Sequence, residues 1–196
     1  MDTVNTNETI LGLLQDLGLD ATYSSPSLTA LDAVTSKYLK DLKLNVSGSL
    51  NSRNLVRKEA MLIALAVAVN EKHGALIAAF ERMAAKEGAT PEEIGEAHMC
   101  ASIMGLNNIF YRFKHYMHDV ELYNKQPAGL RMSAMMLPTM GKAAFELISL
   151  VLSAVNGCER CVGAHEHSVK QHNVTEIQIF DSIRLGSVIK SLCITL

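Results

Sequence analysis

The sequence predicts an all-α protein, and three observations lead there. Its apolar mass, 48% of 196 residues, is carried by Ala, Leu, Ile, Val and ten Met, while aromatics make up only 5% and Trp is absent. That mixture suits close helix packing better than a sheet sandwich. Four prolines and twelve glycines leave long stretches unbroken. Helix-start and helix-stop signals recur along the chain, and no convincing strand alternation stands out. At this length we expect a single domain over residues 1–196.

Taken in order, Asn7 caps a short helix that runs through Leu17 and stops at Gly18. Ser27 caps a second, with Leu28, Leu31, Val34, Tyr38, Leu39 and Leu42 on one face. The stretch NVSGSLNSRN reads as a loop. Arg53 to Val69 reads as a strongly apolar, central helix. In GATPEEI, Thr90 caps, Pro91 takes the first helical position and Glu93 closes a capping box. A long helix follows through Gly105, toward His118. Lys125 to Thr139 is a connector, and a helix from Gly141 to Val155 comes next. Asn156-Gly157 breaks that helix and starts another. Thr175 with Gln178 forms a second capping box and opens the last helix.

A weak internal echo accompanies this pattern. The run from Glu59 to Asn70 resembles the run from Glu146 to Asn156, and each leads into further helices. This predicts two related helical halves, about 53–118 and 140–194, packed about a pseudo-twofold axis.

Composition also excludes. The net charge of −2 offers no basic stripe for phosphates, so nucleic-acid binding is disfavoured. The N-terminal MDTVNTNETI lacks the basic and apolar regions of a signal peptide. The apolar runs Ala60–Val69 and Leu147–Val155 are far shorter than the roughly 20 residues that span a bilayer. No membrane association is expected, and the cytoplasm is the default address. Four cysteines there argue against a structural disulfide framework. Cys100 and Cys193 stand alone in apolar patterns and read as small buried hydrophobes.

Cys158 and Cys161 form a C-x-x-C pair, a spacing used in redox chemistry and in metal sites. With Asn156 as cap, both fall in the first turns of a helix, where free N–H groups and the dipole favour thiolate. Arg160 adds positive charge. At about 100° per residue, Cys161 lies about 60° and His165 about 20° from Cys158, whereas His167 lies on the opposite side. A zinc site would want both histidines turned inward, and proton transfer beside two thiols needs one. Glu146 is an acid among apolar neighbours and needs a partner. It either orients His165 as part of a proton relay or forms a core salt bridge with Arg131 or Lys142. His115 with His118, and His73, His98 and His172, read as solvated or interface residues. Met132, Met135, Met136 and Met140 read as core or subunit-contact filler.

Glu146, Cys158, Cys161 and His165 in the pattern E-x11-C-x-x-C-x3-H resemble the alkyl hydroperoxidase D (AhpD) family, within the larger carboxymuconolactone-decarboxylase-like group. The likeness extends to N-N-I-F-Y-R-F-K-H from Asn107, P-A-G-L-R-M from Pro127, K-A-x-F-E-L from Lys142 and S-A-V-N-G-C-x-x-C-x-x-A-H-E-H from Ser153. It is strongest from Asn107 to Val188. The resemblance implies an all-α fold with an internal repeat, assembled as a homotrimer. It implies a lipoyl-dependent antioxidant peroxidase with no tightly bound cofactor. Dihydrolipoamide on a lipoylated acyltransferase of a 2-oxoacid dehydrogenase complex would reduce the Cys158–Cys161 disulfide. The dithiol would then reduce an AhpC-type peroxiredoxin or an alkyl hydroperoxide. By the same resemblance Cys161 is the attacking thiol, Cys158 the proton donor and resolving thiol, and Glu146 with His165 the relay. One departure stands out: some members carry a histidine between the cysteines, and this chain has Glu159 and Arg160. An arginine stabilises thiolate but does not shuttle protons near neutral pH. Two other readings remain at this point, a decarboxylase on the shared fold and a zinc-stabilised, non-catalytic helical protein.

Overall fold

A computed structural model describes residues 7–196, and among them regular structure is entirely helical. The order is α1 (Glu8–Asp16), α2 (Pro26–Ala33), α3 (Lys37–Leu50), α4 (Arg57–Asn70), α5 (Gly74–Lys86), α6 (Pro91–Tyr116), α7 (Glu121–Lys125), a 3₁₀ turn at Ser133–Met135, α8 (Lys142–Val155), α9 (Glu159–Gln171) and α10 (Glu176–Thr195).

The caps behave as their chemistry dictates. Asn7 accepts from the Thr9 N–H, and Gly18 ends the segment at φ 62°. Thr90 with Glu93, and Thr175 with Gln178, form complete capping boxes. Two stretches depart from expectation. Ser25, not Ser27, caps α2, with Pro26 in the first position. The expected continuous helix then breaks at Thr35, which takes φ 47°, and Ser36 starts α3 afresh. Leu28, Leu39 and Leu42 remain buried, but Val34 and Tyr38 turn outward. NVSGSLNSRN is largely helix, because α3 continues to Leu50. Its turn-forming residues sit on a helix whose Leu39, Leu42, Val46 and Leu50 bury one face. That burial outweighs the cost of one mid-helix glycine, about 1 kcal/mol. The next helix therefore starts at Arg57 instead of Arg53. The intervening turn is pinned by Asp181, buried in α10, which accepts from Ser52 Oγ at 2.5 Å and Asn54 Nδ2 at 2.9 Å.

Helix α4 is the centre of the molecule. Residues Ala60 to Ala68 are buried on every side, as an all-round apolar helix should be. It packs on α5, α6, α8 and α10. Helix α8 is the second buried helix, with Ala144 to Ser153 all buried. Gly186 lets α10 approach it: a Cβ there would collide with Val151 Cγ1. None of the described helices is long and apolar enough to cross a membrane. Helix α8 presents its few polar side chains at the edge of this bed of apolar helices, and the more polar α9 packs against it there.

Candidate active site

The site begins at the end of α8. Gly157 takes φ 69° and donates to Ala154 O, while the Cys158 N–H donates to Ser153 O at 2.9 Å. This double closure is a Schellman turn, and its left-handed position suits glycine. Arg112 of α6 donates to the Asn156 carbonyl at 2.6 Å and fixes the turn from outside. The sequence suggested Asn156 as cap of the following helix; it is instead the C-cap of α8, and Cys158 is the N-cap of α9. The Asn156 side chain is engaged elsewhere, with Asn70 and Asn108.

Cys158 thus sits where a capping oxygen would, next to the free N–H groups of the first turn of α9. Cys161 follows one turn on, and the two form a disulfide with Cα atoms 5.3 Å apart. Their exposure differs: Cys158 is fully enclosed, and Cys161 is 7% exposed. Cys161 also lines a cavity of about 220 Å³ together with His165, Arg160, Asn107, Met132 and Met135.

Glu146 answers the choice left open by the sequence with both partners at once. Its Oε2 accepts from His165 Nδ1 at 2.6 Å, and its Oε1 from Lys142 Nζ at 2.8 Å. Arg131 is exposed and is not part of this cluster. Burial pushes the Glu146 carboxyl up, but the hydrogen bonds and charges of His165 and Lys142 outweigh it and hold the group down at about 2. The glutamate is therefore a carboxylate at neutral pH. It fixes the His165 ring with Nδ1 as donor and leaves Nε2 as the second ring nitrogen.

The remaining candidates stand apart. His167 is exposed and contacts Gln171, on the side away from the cysteines. His115 lies 3.8 Å from the exposed Glu159 carboxylate, and His118 pairs with Asp119. Cys100 is buried against Ser149, and burial pushes its thiol up to about 12. Cys193 is half-buried, and burial with the nearby Glu71 pushes its thiol to about 12 as well.

Two features were not read correctly from sequence. Met132 and Met135 were expected as filler, but the connector folds back and puts both on the cavity wall. Lys142 Nζ holds it there through the Met135 carbonyl at 2.9 Å. Asn107 lines the same cavity from the middle of α6. A pair of asparagines inside a long helix, where each is a poor helix former, is the one local signal that could have flagged it.

Fold and site together define a helical protein with a disulfide-forming C-x-x-C pair at a helix N-terminus and a histidine–carboxylate couple beside it. A model of the carboxymuconolactone decarboxylase family matches residues 41–112 and 123–190. An alkyl hydroperoxide reductase AhpD from Azorhizobium caulinodans is 35% identical over 170 residues, 87% of this chain and 93% of the relative. The one from Rhodococcus erythropolis is 39% identical over 153 residues, 78% of this chain and 84% of the relative. A solved structure described as a gamma-carboxymuconolactone decarboxylase subunit from Burkholderia xenovorans matches with a TM-score of 0.64 and 14% identity, over 93% of this chain and 92% of that one. That last likeness is one of fold alone. The chain belongs to the carboxymuconolactone decarboxylase family, in its alkyl hydroperoxidase D group.

Proposed function

We propose that this protein is a lipoyl-dependent thiol peroxidase component that cycles between the Cys158–Cys161 disulfide and its dithiol. The observation that carries the reading is the unequal setting of the two sulfurs. Cys161 opens on a cavity shared with His165, while Cys158 is enclosed at the cap of α9.

In the reductive half, a thiolate of dihydrolipoamide attacks Cys161 Sγ and forms a mixed disulfide. The Cys158–Cys161 bond breaks, and Cys158 leaves as a thiolate that the free N–H groups of α9 stabilise. The second lipoyl thiol, as thiolate, then attacks the lipoyl sulfur of the mixed disulfide. Cys161 leaves, oxidised lipoamide departs and the dithiol is complete. His165, held by Glu146, takes and returns protons through Nε2. In the oxidative half, Cys161 thiolate attacks a hydroperoxide or the disulfide of an AhpC-type peroxiredoxin, and Cys158 resolves the product. A lipoylated acyltransferase of a 2-oxoacid dehydrogenase complex is the proposed donor and the cytoplasm the proposed setting. The curated relatives carry the name alkyl hydroperoxide reductase, which supports the peroxide side of this cycle.

The test separates the half-reactions. Dihydrolipoamide should release two thiols from the wild type, and the reduced protein should consume alkyl hydroperoxide. Cys161→Ser should abolish lipoyl-dependent peroxide reduction while the fold persists. A disulfide inert to dihydrolipoamide, or peroxide turnover retained in Cys161→Ser, would sink the proposal.

We also propose self-association as a homotrimer. Leu106, Ile109, Phe113 and Tyr116 form an exposed apolar stripe along α6, and Leu122 and Leu137 in the segment that follows are exposed as well. Sedimentation equilibrium reads the state directly, and a monomer at micromolar concentration would remove this proposal.

A further inference from the structure

Among the described residues, one buried side-chain nitrogen or oxygen has no hydrogen-bond partner: Oδ1 of Asn107. The residue is 5% exposed. Its Nδ2 has only the Met135 thioether, a weak acceptor, at 3.8 Å. The neighbouring Asn108 shows what a structural asparagine looks like in this protein. Its Nδ2 donates to Ser153 Oγ at 3.0 Å and its Oδ1 accepts from Asn156 at 2.9 Å. Buried amides left unsatisfied are uncommon and costly, and each calls for an explanation. Leucine would fill the Asn107 position without that cost.

The unsatisfied amide lies on the wall of the cavity that also holds Cys161 and His165. The remaining wall is the thioether side chains of Met132 and Met135, the Tyr111 ring and Ala164, with the Arg160 side chain as its one further polar member. A ligand for this space has an apolar body and a small polar head that can donate to one amide atom and accept from the other. We propose that Asn107 is a substrate-binding residue that seats the hydroperoxide group of a compact alkyl hydroperoxide against Cys161. This rests on the peroxidase reading above and adds its recognition element.

The fit is in the order of atoms. The terminal O–H of ROOH donates to Asn107 Oδ1, and the inner, carbon-bearing oxygen accepts from Nδ2. Cys161 thiolate attacks the terminal oxygen. An S–O bond forms, the O–O bond breaks, and the electron pair leaves on the alkoxide. Nδ2 is then a preset donor to the atom on which negative charge develops. The alkoxide takes the proton that His165 received from the Cys161 thiol and leaves as ROH. The Cys158 thiol condenses with the Cys161 sulfenic acid to give the disulfide and water. Two thiols are oxidised and one peroxide is reduced, so electrons and protons balance. The methionines accommodate the R group because their side chains are flexible and apolar.

The experiment uses full-length protein, wild type and Asn107→Leu, with tert-butyl hydroperoxide as probe. Each half-reaction is followed separately: thiol loss from the reduced protein with peroxide, and thiol release from the oxidised protein with dihydrolipoamide. For Asn107→Leu the peroxide step should slow by about a hundredfold or more, in line with loss of one preset donor. The lipoamide step should change less than about twofold, and the melting temperature should hold or rise because an unsatisfied group is removed. An unchanged peroxide rate in Asn107→Leu overturns the inference, as does an equal loss in both halves or a lowered melting temperature, each of which marks a structural role. Loss confined to the lipoamide step overturns it too, by assigning the amide to the reductant. If wild type itself consumes no hydroperoxide, the peroxidase reading falls first and takes this inference with it.

Discussion

The joint between α4 and α5 and the joint between α8 and α9 are built alike and used differently. Helices α4 and α8 each have 14 residues, and α5 and α9 each have 13. Each first helix ends in a left-handed residue, Lys72 at φ 60° and Gly157 at φ 69°. In each, the N–H of the next residue returns to a carbonyl five positions back: His73 to Ala68 and Cys158 to Ser153. That next residue is the N-cap of the second helix in both. The side chains at matching places then diverge. Met61, Leu76 and Phe80 of the first joint are all fully buried. Their counterparts are Glu146, Cys161 and His165. At the cap itself, His73 accepts from the Leu76 N–H through Nδ1, whereas Cys158 bonds covalently to Cys161. One backbone solution therefore serves packing in one place and the proposed redox site in the other. The backbone sets where the groups stand, and four side chains set what they can do.

The sharpest way to break the comparison is to copy the first joint into the second. Glu146→Met with His165→Phe would place the side chains of Met61 and Phe80 around an intact cysteine pair. Proton transfer to and from the thiols should collapse, slowing both half-reactions roughly a hundredfold or more. The fold should persist, since a buried charged cluster replaced by apolar groups is often neutral for stability. Lys142 is 35% exposed and can return to solvent. Retained activity in this variant would separate the Glu146–His165 couple from the chemistry.

The same variant has an acid signature. In the wild type the Glu146 carboxyl is held at about 2, below its ordinary 4.5. A carboxyl depressed on folding contributes stability that is fully present above its unfolded value. That contribution is lost as pH falls through the folded one. The window runs from about pH 4.5 down to about 2. Across it the wild type should lose on the order of 2 kcal/mol that the double variant, with neither titrating group, does not. Urea midpoints at pH 5, 4, 3 and 2.5 read the difference. Parallel curves would mean that the cluster carries no net stabilisation.

What the sequence revealed about these joints follows from how local each cause is. Thr90 with Glu93 and Thr175 with Gln178 were legible because a capping box lies within four residues. The grouping of Cys158, Cys161 and His165 on α9 was legible because one helix turn relates them. Glu146 was legible as a charge in need of a partner, and two of its named candidates both bind it. The end of α3 was misread because the burial of Val46 and Leu50 depends on helices far away in sequence. The cap of α9 was misread by two residues because Asn156 serves a side-chain network with Asn70 and Asn108. Met132 and Met135 reach the cavity only through the fold-back of the connector, where they meet Asn107 of α6. No periodicity encodes that fold-back.

The smallest expected effect tests whether the two joints are equivalent at the level of the backbone. A side chain at a left-handed position costs roughly 1–2 kcal/mol, which glycine avoids. Lys72 bears that cost and Gly157 does not. Glycine in turn loses more chain entropy on folding, so part of the gain is returned. Lys72→Gly should therefore stabilise by about 0.5–1 kcal/mol. Gly157→Ala should destabilise by about 1 kcal/mol, since the nearest heavy atom to a Cβ there is Arg112 Nη1, at an ordinary contact distance of 3.8 Å. The two changes should couple in the double variant, because paired hydrogen bonds between Asn70 and Asn156 join the two turns. Equal and opposite shifts in chemical-denaturation midpoint would establish that the turns are energetically interchangeable. A larger loss at Gly157 than strain explains would show that the disulfide-bearing joint leans on its backbone more heavily than the packing joint does.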